Sequence, residues 1–562
     1  MRLSFVLLTV AGACAGQTLL RVANAADPGN LLVAPGSLVV VRGASLGPVN
    51  AVRAQPPYAT TLGPYGVVLR SVATSEESRA YMVSVASSVT VAVLPSSLTE
   101  GEYDLLYLNG ALRSRPLRFR VVPRSFSLFS VTGDGAGPAD AVAGDKPVGF
   151  LSPAKPGQII TLTGTGLGPA MGADNQAAEQ SVEVELELRI GKAIVKPIYT
   201  GRSPTVAGVD QLRFMLPAEA EAGIGDGCYV PVRVKINEVF SNLVTIAKMD
   251  TADRCPHPLG LSEAALKKVD SGQPLTQGNF WIGATVLDAE LDGEITRERV
   301  ENAGGTFFLG TGNHLLKAAG ESGPIGLAPG ECSTSTVALS ASDIESIDDL
   351  LLPILVGSTF QPPAALDGGA RALLTAPSGR QALLAPSLTA QSGTLQTILA
   401  DVEDVRPVAI APGEWQIQWQ GGSQIATGIA KLNVKEADPL SWTQALPPIN
   451  AAQELALNWT TQGLDEKSTL YLSGLFLAPA ETTILLGSLS CKLASSATTF
   501  TIPEAVMKAM PKTPAGGLAL LVLEGRTAGV PFTANYRAVA GQLDYGVFDQ
   551  RFSVVKLRSY QR

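Results

Sequence analysis

Apolar and polar residues alternate along much of the chain, in short runs broken by Gly and Pro. In "KPGQIITLTGTGLGP" (Lys155–Pro169), Ile159, Thr161 and Thr163 alternate with Ile160 and Leu162. That is the period of a β-strand. Gly164, Gly166 and Gly168 then end the run, as at a bend where one backbone passes close to another. "APGSLVVVRGASLGP" (Ala34–Pro48) aligns with this stretch without a gap. The repeat has a second half: "GEYDLLYLNGALRSRPLRFRVV" (Gly101–Val122) matches "GCYVPVRVKINEVFSNLVTIAK" (Gly227–Lys248). Each reads as a strand, a tight turn and a strand, and Asn109-Gly110 is a strong hairpin signal. Each copy opens on a Pro-Gly turn and closes on a hairpin, the pattern of an immunoglobulin-type β-sandwich.

The same reading divides the rest of the chain. The sandwiches are expected over 17–123 and 124–249, the second including a linking segment. A linker with a short helix follows over 250–272, where Ser262 is placed to cap "LSEAALKKVD". A β-rich module is expected over 273–436 and a C-terminal β-sandwich module over 437–562. "ASDIESIDDLLLPI" reads as a helix or an acidic loop. A short helix is expected at "TIPEAVMKAM", with Thr501 as cap and Pro503 in the first turn. The fold class is all-β: tandem immunoglobulin-like sandwiches, then further β-rich modules with a few short helices.

Length and composition agree with this picture. A chain of 562 residues is too long for one core. Charged residues make up 16%, mean hydropathy is +0.21, and Gly (57) and Pro (38) are frequent. The net charge of −8 and the lack of a basic stripe argue against nucleic-acid binding. The start, "MRLSFVLLTVAGACAGQ", has a positive Arg2, an apolar run and a small-x-small site at Ala13–Ala15, so residues 1–15 read as a secretory signal. Lipidation at Cys14 is the competing reading. No other apolar run reaches the ~18–20 residues of a membrane helix. The product is expected to be exported to the periplasm, the cell surface or the medium.

Export makes the remaining cysteines readable as disulfides among Cys228, Cys255, Cys332 and Cys491, with three connectivities open. Cys228 begins the first strand of a hairpin, and Cys255 follows the end of the second by seven residues. The start of one strand lies beside the end of its antiparallel partner, so Cys228–Cys255 is the expected pair. Cys332–Cys491 follows by elimination.

"PGQIITLTGTGLGP", "AIVKPIYTGRSPTVAGVDQLRFMLPAEAEAG" and "CYVPVRVKINEVFSNLVTIA" together resemble the TIG/IPT-like immunoglobulin modules of large secreted acidobacterial proteins of the Solibacter type. The first copy matches more weakly and lacks an "AGVDQLRF" equivalent. The resemblance implies that "SLFSVTGDGAGPADAVAGD" links paired modules. It extends to "LDGGARALLTAPSG", "PLSWTQ" and "LDYGVFDQRFSV" in the second half. Because the family has no established activity, it implies no catalytic residues.

Candidate chemistry is sparse. Only His257, held in "CPHP", and His314 are present, and no Gly-x-Ser-x-Gly elbow occurs. The Gly-rich bend leads into a strand rather than a helix, which argues against a phosphate loop. Asp288, Glu290, Asp292, Glu294 and Glu298 in "LDAELDGEITRE" are candidates for a calcium site or a carboxylate pair, against the plainer reading of a solvated turn. Asp401, Glu403 and Asp404 are read the same way, and Asp134, Asp140 and Asp145 are calcium candidates in the link. Trp415 and Trp419 lie four apart on one strand face, as a sugar-stacking platform if exposed and as core if buried. No cofactor is expected. The function expected is structural, adhesive or matrix-binding, with a protein or polysaccharide surface ligand and no catalytic site. The alternative is an exported carbohydrate-binding or carbohydrate-active protein with its site in 270–562.

Overall fold

The computed structural model describes residues 18–561 except 218–223, 238, 292–293, 319–320, 322, 324, 341–363, 387–393, 401–407, 448, 480–482 and 513–516. The chain divides into two units, Met1–Cys255 and Pro256–Arg562. The fold is all-β.

The first unit holds two sandwiches of one topology. In the first, one sheet runs in the order Thr18–Asn24, Leu38–Ala44, Val89–Val93, Tyr81–Val85, Val52–Arg53. The facing sheet runs Leu32–Val33, Leu117–Val121, Gly101–Asn109, Tyr65–Ser71, Thr61–Leu62. In the second, Ile159–Thr165, Asp210–Met215 and Tyr199–Arg202 stand side by side, facing Val244–Lys248, Gly227–Ile236 and Glu187–Ile190. A short segment pairs in parallel with the last long strand in both copies: Leu32–Val33 with Leu117–Val121, and Gly137–Pro138 with Val244–Lys248. Registers match as well, since Leu38 stands opposite Val93 where Ile159 stands opposite Met215. The Leu94 amide donates to Ser37 O at 2.9 Å, and the Leu216 amide to Gln158 O at 2.9 Å.

Alternation builds both cores. Gly227–Ile236 buries every second residue along its whole length. Each sandwich has its own cluster: Val39, Val41, Leu69 and Tyr107 in the first, and Ile160, Leu162, Phe214 and Val232 in the second. The Gly-rich bend sits under the link between them. At Gly166 (φ +105°) a Cβ would lie 2.1 Å from Ser125 O, so only glycine fits. Ser45 holds the equivalent place in the first copy with φ 58°.

The second unit differs from the expectation of two modules meeting at 436/437. Among the described residues its main sheet runs through 15 strands and joins residues from both sides of that point. Tyr545–Gln561 lies between Gly517–Arg526, antiparallel, and Leu275–Leu291, parallel. Leu275–Leu291 pairs antiparallel with Glu294–Gly310 along all 17 residues. One core accordingly mixes Phe280, Trp415 and Trp419 with Phe476, Phe548 and Tyr560. Parallel neighbours need a long crossover, and here it spans most of the unit.

Two helices were anticipated in this unit. Ser262 caps Glu263–Asp270 by accepting from the Ala265 amide. Thr501 does not cap the other: it pairs within the strand Thr499–Ile502, and Pro503 occupies the N-cap of Glu504–Lys508 without a side-chain bond. The "ASDIESIDDLLLPI" segment lies outside the described residues.

Candidate functional site

A buried polar constellation lies at the seam between the two sandwiches of the first unit. Asn24, fully buried, donates to Ser125 O (2.8 Å) and Thr165 O (3.2 Å) and accepts from the Ala26 amide. Thr165 Oγ1 accepts from the Leu38 amide at 2.8 Å and donates to Gly208 O at 2.7 Å. Asp174 receives the Ser96 amide (2.7 Å) and hydroxyl (2.6 Å). Tyr58 and Asn175 exchange two bonds, at 2.7 and 3.2 Å.

Arg202 and Asp210 anchor this network. They stand opposite each other on adjacent strands and form a buried ion pair. Arg202 also donates to Gly168 O at 2.7 Å, and Asp210 accepts from the Leu167 amide at 2.8 Å. The guanidinium lies across Gly36 of the first sandwich, where a Cβ would meet Nη2 at 2.1 Å. Burial pushes the Asp210 carboxyl up, against the pull of Arg202. An apolar patch completes the seam: Tyr58, Val93 and Ala207 pack together, with Leu38, Ala54 and Tyr81 around them. Asn24, Leu38, Ser96 and Tyr58 of the first sandwich bond Ser125, Thr165, Asp174 and Asn175 on the other side, so these bonds join the two bodies mechanically.

None of these residues stood out in the sequence. The available signal was an Arg and an Asp flanking a turn in "GRSPTVAGVD", placed to face each other in an antiparallel pair. The same loop explains why the first copy lacks "AGVDQLRF". Its corresponding strands, Tyr81–Val85 and Val89–Val93, are joined by a three-residue turn.

The residues singled out beforehand fall elsewhere. Cys228 bonds to Cys255 with Cα atoms 5.5 Å apart. Cys332 bonds to Cys491 directly across two antiparallel strands. Of the two readings of Trp415 and Trp419, core holds and the sugar platform does not: both are fully buried. Their indole N–H groups donate to Ala411 O (2.9 Å) and Ala426 O (2.7 Å), and Trp419 stacks on Phe280. Alternate positions of that strand face the core, which the aromatic rings fill.

In the acidic cluster it is Asp288 that departs from the expectation. Asp288 is buried and binds Lys556 (2.5 Å) and Arg558 (3.2 Å). Burial raises its carboxyl, but Lys556 and Arg558 outweigh burial and hold it below the ordinary range. Its oxygens are thus already committed to cations of the chain, Lys556, Arg558 and, at 3.4 Å, Arg297. Glu290 lies 3.8 Å from Arg558, and Glu298 is exposed. Asp292 lies outside the described residues, and Glu294 is described only as a strand residue opposite Leu291. Asp401, Glu403 and Asp404 lie outside them as well. In the link, Asp134 accepts from Ser130 and Thr132, Asp140 accepts from Thr163, and Asp145 is exposed. Among the described residues no group of three His, Cys, Asp or Glu is placed to hold a metal ion. His257 is buried, which lowers it to about 4, and its Nδ1 accepts from the Leu259 amide. His314 bonds Thr311 within the turn that opens the helix Gly312–Ala318.

The geometry defines the class: tandem immunoglobulin-like β-sandwiches joined to a larger β-sheet unit. No family model matches the chain, and no curated protein does. Solved structures similar to it include the I9–I11 tandem of titin, at 8% identity, covering 75% of this chain and 99% of that one, with a TM-score of 0.13. The FN1–FN3 domains of chicken CNTN1 match at 9% identity, covering 75% and 98%, with a TM-score of 0.12. Domains 4–9 of the surface layer protein SbsC match at 11%, covering 94% and 83%, with a TM-score of 0.14. The fold stands on strand order and register. Among the described residues no helix is long and apolar enough to cross a membrane.

Proposed function

We propose that the chain is an exported structural or adhesion protein of the cell surface or its surrounding matrix, in which the first two sandwiches form a stiff arm. One observation carries this reading. The two sandwiches are joined by hydrogen bonds through Asn24, Thr165 and Asp174 and by the Arg202 guanidinium laid across Gly36, where a flexible spacer would need only a linker. Two disulfides support an oxidising destination. The repeated motifs support membership among the secreted TIG/IPT-like acidobacterial proteins. The partner in this reading is a protein or polysaccharide surface.

One feature favours the carbohydrate reading as a rival. A small surface cleft in the second unit is lined by Phe280, Phe307, Leu366, Asp367 and Leu395. A glycan array probed with the purified chain separates the two. The structural reading expects no glycan binding that depends on this cleft. Binding that disappears in Asp367→Ala would replace it with the rival.

A further inference from the structure

The hairpins that close the two sandwiches carry the same pair of bonds. The Tyr107 amide donates to Ser114 Oγ and the Val234 amide to Ser241 Oγ, both at 2.9 Å. Ser114 and Ser241 each donate in turn to the carbonyl of the next residue at 2.8 Å. Leu106 of the first copy therefore holds the place of Arg233. Val68, opposite Leu106, holds the place of Arg189, opposite Arg233. The first sandwich fills this outer position with two buried aliphatic side chains. The second puts two arginines there, directly across from each other on adjacent strands. Like charges so placed destabilise a sheet, and the first copy shows that the topology does not require them.

The surroundings orient the two arginines without neutralising both. The Phe240 ring takes both guanidinium groups, that of Arg189 at 5.1 Å and that of Arg233 at 4.6 Å. Glu187 accepts from Arg189 Nε (3.1 Å) and Nη2 (2.7 Å). Among the described residues Arg233 meets the ring and no carboxylate. Lys235 stands opposite Glu187 and Phe240 on the same face. Ile194, opposite Arg189, is 63% exposed, and Phe240 is 41% exposed. The group lies at the hairpin end of Gly227–Ile236, away from the Cys228–Cys255 bond.

We propose that this face of the second sandwich binds a polysaccharide carrying uronic acids, with a carboxylate on Arg233 and the sugar ring against Ile194 and Phe240. A guanidinium held on an aromatic ring keeps its planar N–H edge ready for a planar carboxylate. In a uronic acid the carboxylate is bonded to the ring itself, so charge and C–H face sit side by side, as Arg233 and its apolar neighbours do. A peptide is poorly served, because the adjoining sheet edge, Ala193–Val195, is three residues long and offers little for an added strand. The proposal rests on the adhesive reading above and names its ligand.

Surface plasmon resonance of the full chain over immobilised polygalacturonate tests it, with dextran, dextran sulfate and polyglutamate as the other surfaces. The wild type should bind polygalacturonate most tightly, and less tightly as salt is raised. Arg233→Leu installs the first copy's residue; it should weaken binding about ten-fold or more and melt no lower than the wild type. Arg233→Gln takes its place if that variant melts early. No binding to polygalacturonate, or binding that loss of Arg233 leaves unchanged, overturns the proposal while an adhesive role toward a protein still stands. Equal or tighter binding to polyglutamate or dextran sulfate overturns it as well, in favour of an acidic peptide or a sulfated chain.

Discussion

Gly36 and Gly157 occupy the same turn in two copies of one sequence, and their surroundings are opposite. Gly36 (φ +72°) lies under the Arg202 guanidinium and the Ser96 hydroxyl, whereas Gly157 (φ +78°) has nothing within 4 Å of where a Cβ would sit. The backbone demand is the same at both, because each turn needs a left-handed residue. The packing demand is present at Gly36, because the second sandwich is seated on the first there. A repeated motif therefore fixes local geometry in both copies, while its energetic weight depends on what the chain brings against it.

The comparison breaks most sharply at Arg202. Arg202→Met leaves Asp210 buried without its partner, and chemical denaturation should show the first unit losing about 3–5 kcal/mol. The disulfide marks a second difference, since Cys228 in "GCYVPV" stands where the first copy has Glu102 in "GEYDLL". Replacing Cys228 and Cys255 together by Ser opens a loop of sequence separation 27 and should cost about 3 kcal/mol, confined by hydrogen exchange to the second sandwich.

Alanine at the two turns sharpens the contrast directly. Gly157→Ala should cost about 1–2 kcal/mol, the penalty of a left-handed L-residue. Gly36→Ala should cost measurably more in the same melts, because the added Cβ also displaces a guanidinium held by Asp210 and Gly168. Equal costs would mean that the seam puts no weight on that turn. The smallest effect is expected at Ser45, which adopts φ 58° where the second copy has Gly166. Ser45→Gly relieves that strain at some cost in unfolded-state entropy, for a net gain of about 0.5 kcal/mol.

Local structure was largely legible in the sequence. Alternation located Ile159–Thr165 and Gly227–Ile236, and the hairpin logic placed Cys228 against Cys255. These depend on near neighbours. What stayed hidden depends on distant ones. Nothing local says that Tyr545–Gln561 inserts beside Leu275–Leu291, so the second unit was divided at a point its sheet runs through. Trp415 and Trp419 had a definite strand face, but alternation does not say which face is covered. Asp288 looked like a solvated carboxylate because Lys556 and Arg558 lie some 270 residues away in sequence. The seam was hidden for the same reason: Asn24 finds Thr165 O across 141 residues.

The stiffness of the paired sandwiches is open to a direct distance measurement. Spin labels at Leu112 and Val239, both exposed and one in each sandwich, report the separation of the two bodies within the full chain. Double electron–electron resonance should give one narrow distance distribution in the wild-type background, and Arg202→Met should broaden it. A broad distribution in the wild type would contradict the account, because it would show the sandwiches moving independently despite the buried network between them.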